Sequence, residues 1–245
     1  MTSRATAAAV IIGNEVLTGK VRDLNTPVLI DALRRHGVRL QRIVIIEDTL
    51  DAIATAVAEA SASYTHVFTS GGIGPTHDDL TLAGVARGLG LELHDHPTLT
   101  AWLVNVPEGP RREALRRLAR VPVGTELVQF EGLRFPTMRV KNVWVLPGVP
   151  GLFEKKVAGI SALIAEKPVV AATLYCSAAE PDITHLIDAV VSRHQDTEIG
   201  SYPVFETGDH QTRLTVDGDD VQSVEATLMD FENSLPAGSV VRVVR

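Results

Sequence analysis

The segment Ser70-Gly71-Gly72-Ile73-Gly74-Pro75-Thr76-His77-Asp78-Asp79-Leu80-Thr81 sets three glycines beside two adjacent carboxylates. Glycines let a backbone turn sharply and bring its N–H groups to a ligand, and the N-terminus of a following helix favours an anion. Gly71, Gly72 and Gly74, flanked by Ser70 and Thr76, have the makings of a phosphate cradle. The glycines alone would better suit an ordinary loop with Asp79 as helix N-cap. Asp78 and Asp79 shift the balance, because a carboxylate repels a phosphate by several kcal/mol at about 4 Å. A divalent cation between them resolves that conflict. Two better-known glycine motifs are excluded. No Gly-Lys-Ser/Thr closes this loop, and Gly13-Asn14-Glu15 stands where a dinucleotide fingerprint would begin, so neither a P-loop NTPase nor a nicotinamide-dependent oxidoreductase is supported.

Three other segments match the same edge of the fold. Glu47-Asp48 ends a strand, which directs Asp48 towards the crevice, although taken by itself Asp48 reads better as the cap of the next helix. Leu146-Pro147-Gly148-Val149-Pro150 offers a further tight turn, and Gly13–Gly19 brings Glu15 as its one carboxylate. Other candidates read as structural. His94-Asp95-His96 is a polar loop before a proline. Arg111, Arg112, Arg116, Arg117 and Arg120 line one helix as a solvated face. Cys176 lies in an apolar strand without a base beside it and reads as core.

These residues need a scaffold, and the hydrophobic pattern supplies one. Strands are expected at Ala7–Ile12, Arg39–Ile46, His66–Ser70 and 142–146. Helices are expected from the Asn25-Thr26-Pro27 N-cap, at 50–62, at Leu80–Leu89 and at 151–164. This alternation implies right-handed crossovers and a mostly parallel sheet covered on both faces, with ligands at the carboxyl ends of the strands. Residues 95–139 are less regular and read as an insertion beside the sheet, with helices at 98–105 and 111–120. After Lys167-Pro168 the order becomes β-α-β-β-α-β: strands at 169–177, 198–204, 212–216 and Val240–Val244, helices at 181–193 and Val221–Ser234, and a turn at Thr207-Gly208-Asp209. Two domains are expected, 1–167 and a smaller α+β, ferredoxin-like 168–245.

Composition narrows the partners. The 245 residues carry a net charge of −7 and only 4% aromatics, which argues against nucleic acid as ligand. No run approaches the ~20 apolar residues of a membrane span, and a single cysteine suits a reducing, cytoplasmic setting. Any phosphate must be held by a local device.

With these motifs in hand, the sequence resembles the molybdopterin-binding-like (MoaB/MogA, MoCF) domain family, most closely its CinA branch. The resemblance rests on Gly-Asn-Glu-Val-Leu-Thr-Gly (13–19), Asn25-Thr26, the 70–81 segment, Arg-Val-Pro-Val-Gly (120–124) and Leu-Pro-Gly-Val-Pro (146–150). Ile199-Gly200-Ser201-Tyr202-Pro203 is similar to eukaryotic FAD synthase. Asn14 stands where CinA usually has Thr. The resemblance implies a three-layer α/β/α domain and, in the CinA and FAD synthase branches, a metal-dependent pyrophosphatase that releases AMP from ADP-ribose, FAD or a similar substrate. In the molybdenum-cofactor branch it implies that the same crevice binds or adenylylates molybdopterin, without hydrolysis. It places Asp48, Asp78 and Asp79 as catalytic and metal-binding residues, and Gly13, Glu15, Asn25, Ser70, Gly71, Gly72, Gly74, Thr76, Pro147 and Gly148 as nucleotide contacts. The implied ions are Mg²⁺, Mn²⁺ or Co²⁺, with K⁺ as a monovalent addition, and a homo-oligomer is expected. A chain of this length is expected to hold neither CinA's amidase domain nor the synthetase domain of FAD synthase.

Overall fold

A computed structural model describes residues 4–205 and 208–245. The chain divides into two compact units, Met1–Glu166 and Lys167–Arg245. In the first, β1 (Thr6–Ile12), β2 (Arg39–Ile46), β3 (His66–Ser70) and β8 (Val143–Leu146) run parallel, and β7 (Thr137–Val140) and β6 (Glu126–Val128) add antiparallel, in the order β2-β1-β3-β8-β7-β6.

β1 is buried along almost its whole length because helices cover both faces of the sheet. On one side, α2 (Asn25–Arg35) and α7 (Pro150–Leu163) pack Leu29, Leu33, Phe153, Val157 and Ile160 against Ala7, Ala9 and Ile11. On the other, α3 (Leu50–Ser63) and α4 (Thr81–Gly88) pack Ile53, Val57, Leu82 and Val85 against Ala8 and Val10. Small alanines in β1 let both helix layers approach closely. No described helix is long and apolar enough to cross a membrane.

Residues 95–139 are not wholly an insertion beside the sheet. β4 (Leu93–Asp95) and β5 (Arg120–Pro122) form a separate two-stranded ribbon with α5 (Pro97–Leu103) and α6 (Pro110–Ala119), but β6 and β7 extend the main sheet. They are three and four residues long, too short for periodicity to reveal. Their identity depends on pairing, β7 with β8 and β6 with β7.

The second unit is β9 (Val170–Cys176), α8 (Glu180–Arg193), β10 (Thr197–Pro203), β11 (Thr212–Gly218), α9 (Val221–Ser234) and β12 (Val240–Val244). Its sheet order is β10-β11-β9-β12, all antiparallel, which is the ferredoxin-like arrangement. Leu174, Val216, Ile183, Leu228 and Phe231 form a core of its own, and Cys176 is part of it. Thr207 of the expected turn lies outside the described residues.

Candidate functional site

Four strand ends of the first unit converge. β1 ends at Ile12 before Gly13, whose N–H donates to the Ile46 carbonyl at the end of β2 (3.2 Å). β3 ends at Ser70, and β8 ends at Leu146 before Pro147 and Gly148. Asn25 joins the last two: its Nδ2 donates to Ser70 Oγ (2.8 Å) and to the Gly148 carbonyl (3.0 Å). Asn25 is therefore not the expected N-cap. It lies inside α2, and Asp23 caps the helix start, accepting from the Asn25 and Thr26 N–H groups. The Asn25 Oδ1 is buried without a partner.

The glycine loop depends on its glycines. Gly71 has φ +102°, and a Cβ there would run into the Ile12 carbonyl. Gly72 has φ +60°, and a Cβ would meet Thr81 Oγ1 and stand 3.3 Å from Asp48 Oδ1. A Cβ on Gly74 would crowd the Asp79 carboxylate, and one on Gly148 would stand 3.4 Å from Gly71 Cα. The Thr81 hydroxyl donates to the Gly71 carbonyl (2.8 Å) and ties helix α4 to the loop. One expectation is corrected here: the Gly71 N–H donates to the Leu146 carbonyl (3.2 Å). That leaves Gly72 and Gly74, of the three glycine amides, for an anion.

The carboxylates are not helix caps. Thr49 caps α3 by accepting from the Ala52 N–H (3.3 Å), so Asp48 is released from that role. The N-cap of α4 is Leu80, and Asp79 instead accepts from the Thr76 N–H (2.8 Å) and the Thr76 hydroxyl. Asn14 Oδ1 accepts from the Asp48 N–H (3.3 Å), so the residue that departs from the CinA pattern positions the acidic loop. Asp48 Oδ1 is buried with no hydrogen-bond partner. Burial, then Asp79, Asp78 and Glu15, push the Asp48 carboxyl up to about 6. Asp78 is exposed and held below its ordinary value by the Thr76 hydroxyl, then its own backbone N–H and the His77 ring. Glu15, on the short turn α1 (Asn14–Leu17), packs beside Gly13.

The arginine helix is not purely a solvated face. Arg112 pairs with Glu108 and Arg116 with Glu113, but Arg117 Nη1 donates to the Pro75 carbonyl of the glycine loop (3.2 Å). Arg120 belongs to β5 rather than to the helix. His94 sits on β4 and His96 precedes α5, with ring centroids 6.0 Å apart. Among the described residues no group of three or more His, Cys, Asp or Glu is arranged to hold a metal. The roles of Asn14, Thr81 and Arg117 escaped sequence reasoning because each acts on backbone brought close only by folding, whereas Asp23 is a local cap that the Asn25 reading displaced. Thr81 had a signal in its place at the end of the glycine motif, and Asn14 in its departure from the CinA pattern.

A crevice at the carboxyl ends of parallel strands, walled by a glycine loop and acidic residues, defines a three-layer α/β/α domain of the molybdopterin-binding class. The chain belongs to the family of probable molybdopterin binding domains, whose model matches residues 8–164, and residues 168–244 match the FAD synthase middle domain. A probable FAD synthase of Caenorhabditis briggsae is 32% identical over 95% of this chain and 50% of its own length. A CinA-like protein of Myxococcus xanthus is 34% identical over 60% of this chain and 37% of its own. The chain thus spans half or less of the length of these two relatives. The crystal structure of CinA from Thermoplasma acidophilum, described as of unknown function, superimposes with a TM-score of 0.58 at 27% identity, covering 66% of this chain and 99% of that one.

Proposed function

We propose that the crevice binds a nucleotide diphosphate such as ADP-ribose or FAD and hydrolyses it with a divalent cation, releasing AMP. The observation that carries this is Asp48, whose buried, unpartnered Oδ1 lies beside Gly72 in the field of Asp79, Asp78 and Glu15. A half-buried carboxylate crowded by other carboxylates calls for a positive charge. Hard oxygen donors suit Mg²⁺, or Mn²⁺ and Co²⁺ in its place, held by Asp48 and Asp79 with Asp78 beside them. Mg²⁺ commonly takes one or two carboxylates and completes its shell with water and substrate phosphate, which suits a site without a three-residue cage. When bound, the ion neutralises the diphosphate and acidifies a water molecule. The Gly72 and Gly74 N–H groups donate to phosphate oxygens and to the charge that develops on them. Asn25 holds the Ser70 and Gly148 strand ends at a fixed spacing, and Thr76 orients Asp79.

A second reading, retention of a pterin or nucleotide without hydrolysis, is favoured by the family match. Incubation with FAD, ADP-ribose and NAD, with and without Mg²⁺, Mn²⁺ or Co²⁺, separates the two while AMP is followed. AMP release that needs metal supports hydrolysis. Its absence with every substrate and metal sinks it, and tight pterin binding without turnover supports the second.

A further inference from the structure

The four-stranded sheet of the second unit packs α8 and α9 against one face, where Leu174, Leu214 and Val216 lie. On the other face the register sets one residue of each strand in a single row. Arg242 pairs with Tyr175, Tyr175 with Arg213, and Arg213 with Tyr202. Guanidinium and phenol thus alternate across all four strands. The Arg242 guanidinium carbon lies 4.1 Å from the Tyr175 ring centroid, and that of Arg213 lies 4.8 Å from the Tyr202 centroid. Gly200 shares this face two residues before Tyr202. A Cβ there would stand 2.9 Å from the Tyr202 ring, so the glycine lets that ring lie down over the sheet. Tyr202 nevertheless remains 47% exposed, and Arg213 is exposed. His210 meets Tyr175 edge-on with centroids 4.8 Å apart.

The charge around this row makes it selective. Residues 167–245 hold thirteen Asp and Glu against five Lys and Arg. Arg193 is held by Asp230 and Arg245 by Glu225. Arg242 also touches Asp209 at 3.5 Å, whereas Arg213 makes its contact with a ring. A long polyanion would be repelled by such a unit, but a compact ligand meets chiefly the row, with Asp209 beside its Arg242 end. Aromatic and guanidinium planes accept a stacked base, and guanidinium N–H groups pair with phosphate.

We propose that the Arg242–Tyr175–Arg213–Tyr202 row of the second unit is a nucleotide-binding platform that stacks an aromatic base and pairs its phosphate with Arg213. It rests on the second unit alone and stands whether or not the crevice hydrolyses anything. The test is AMP binding to the full chain by titration calorimetry, with adenosine and inorganic phosphate as partial ligands. Tyr202→Leu and Arg213→Gln probe the row, Tyr202→Phe is the conservative control, and Asp79→Asn is the crevice control. Loss of the ring or of the guanidinium is expected to weaken AMP binding about tenfold. Tyr202→Phe and Asp79→Asn are expected to retain it, with adenosine and phosphate each binding more weakly than AMP. Melting curves confirm that each variant is folded. The proposal is overturned if wild type binds no AMP, if affinity is unchanged in both Tyr202→Leu and Arg213→Gln, or if Asp79→Asn abolishes all binding. Loss of AMP release in the hydrolysis assay leaves it standing.

Discussion

A carboxylic acid that ionises only near pH 6 sits where the glycine loop meets the end of β2. Its elevated value has a sign with consequences for stability. Asp48 holds its proton more tightly in the folded chain than in the unfolded one, so its favourable contribution is complete below about pH 4 and is lost as pH rises through about 6. Without divalent cation, Asp48→Asn is therefore expected to melt above wild type at pH 8 and to lose that advantage at pH 4, as differential scanning calorimetry would show. The same substitution is expected to remove metal-dependent AMP release by a hundredfold or more. Metal-free stability and hydrolysis thus move in opposite directions, which a merely structural aspartate would not do.

At the scale of elements, the crevice is made by close approaches that side chains would block. Gly71→Ala places a methyl group against the Ile12 carbonyl in a left-handed conformation. A cost of roughly 1–3 kcal/mol is expected from denaturant unfolding, together with loss of AMP release, because Gly71 also sets the approach of Gly148. Capping makes a separate claim. Thr49→Ala should destabilise α3 by about 1 kcal/mol, whereas Asp48→Ala should show no such cap loss. Sequence reasoning favoured Asp48 for that cap. Thr49 and Asp48 are adjacent, and only the backbone angles where the chain enters the helix decide which side chain turns back.

For the whole molecule, the two units have separate cores, and both tryptophans, Trp102 and Trp144, lie in the first. Phe231→Ala removes a fully buried ring from the second core and is expected to cost roughly 3–5 kcal/mol. The loss should appear in circular dichroism as an earlier transition while tryptophan fluorescence unfolds as in wild type. Coincident shifts in both signals would show that the two units unfold together.

Much of the element pattern was legible in the chain. Arg39–Ile46, His66–Ser70, Val221–Ser234 and Val240–Val244 fall where hydrophobic runs and turn residues place them. Local signals suffice there, because a buried strand is written in consecutive apolar residues and an amphipathic helix in its period. The glycine-and-aspartate loop was legible too, since its composition conflicts with itself unless a cation intervenes. The tertiary structure alone decided that β6 and β7 complete the sheet, that Asn25 bridges two strand ends, that the Gly71 amide is already engaged and that Asn14 holds the Asp48 backbone. It alone lined two arginines and two tyrosines across four strands. The Asn25, Gly71 and Asn14 contacts pair residues far apart in the chain, and β6 and β7 join the sheet through short antiparallel pairings with β8 as the anchor, so register, not composition, brings these groups together.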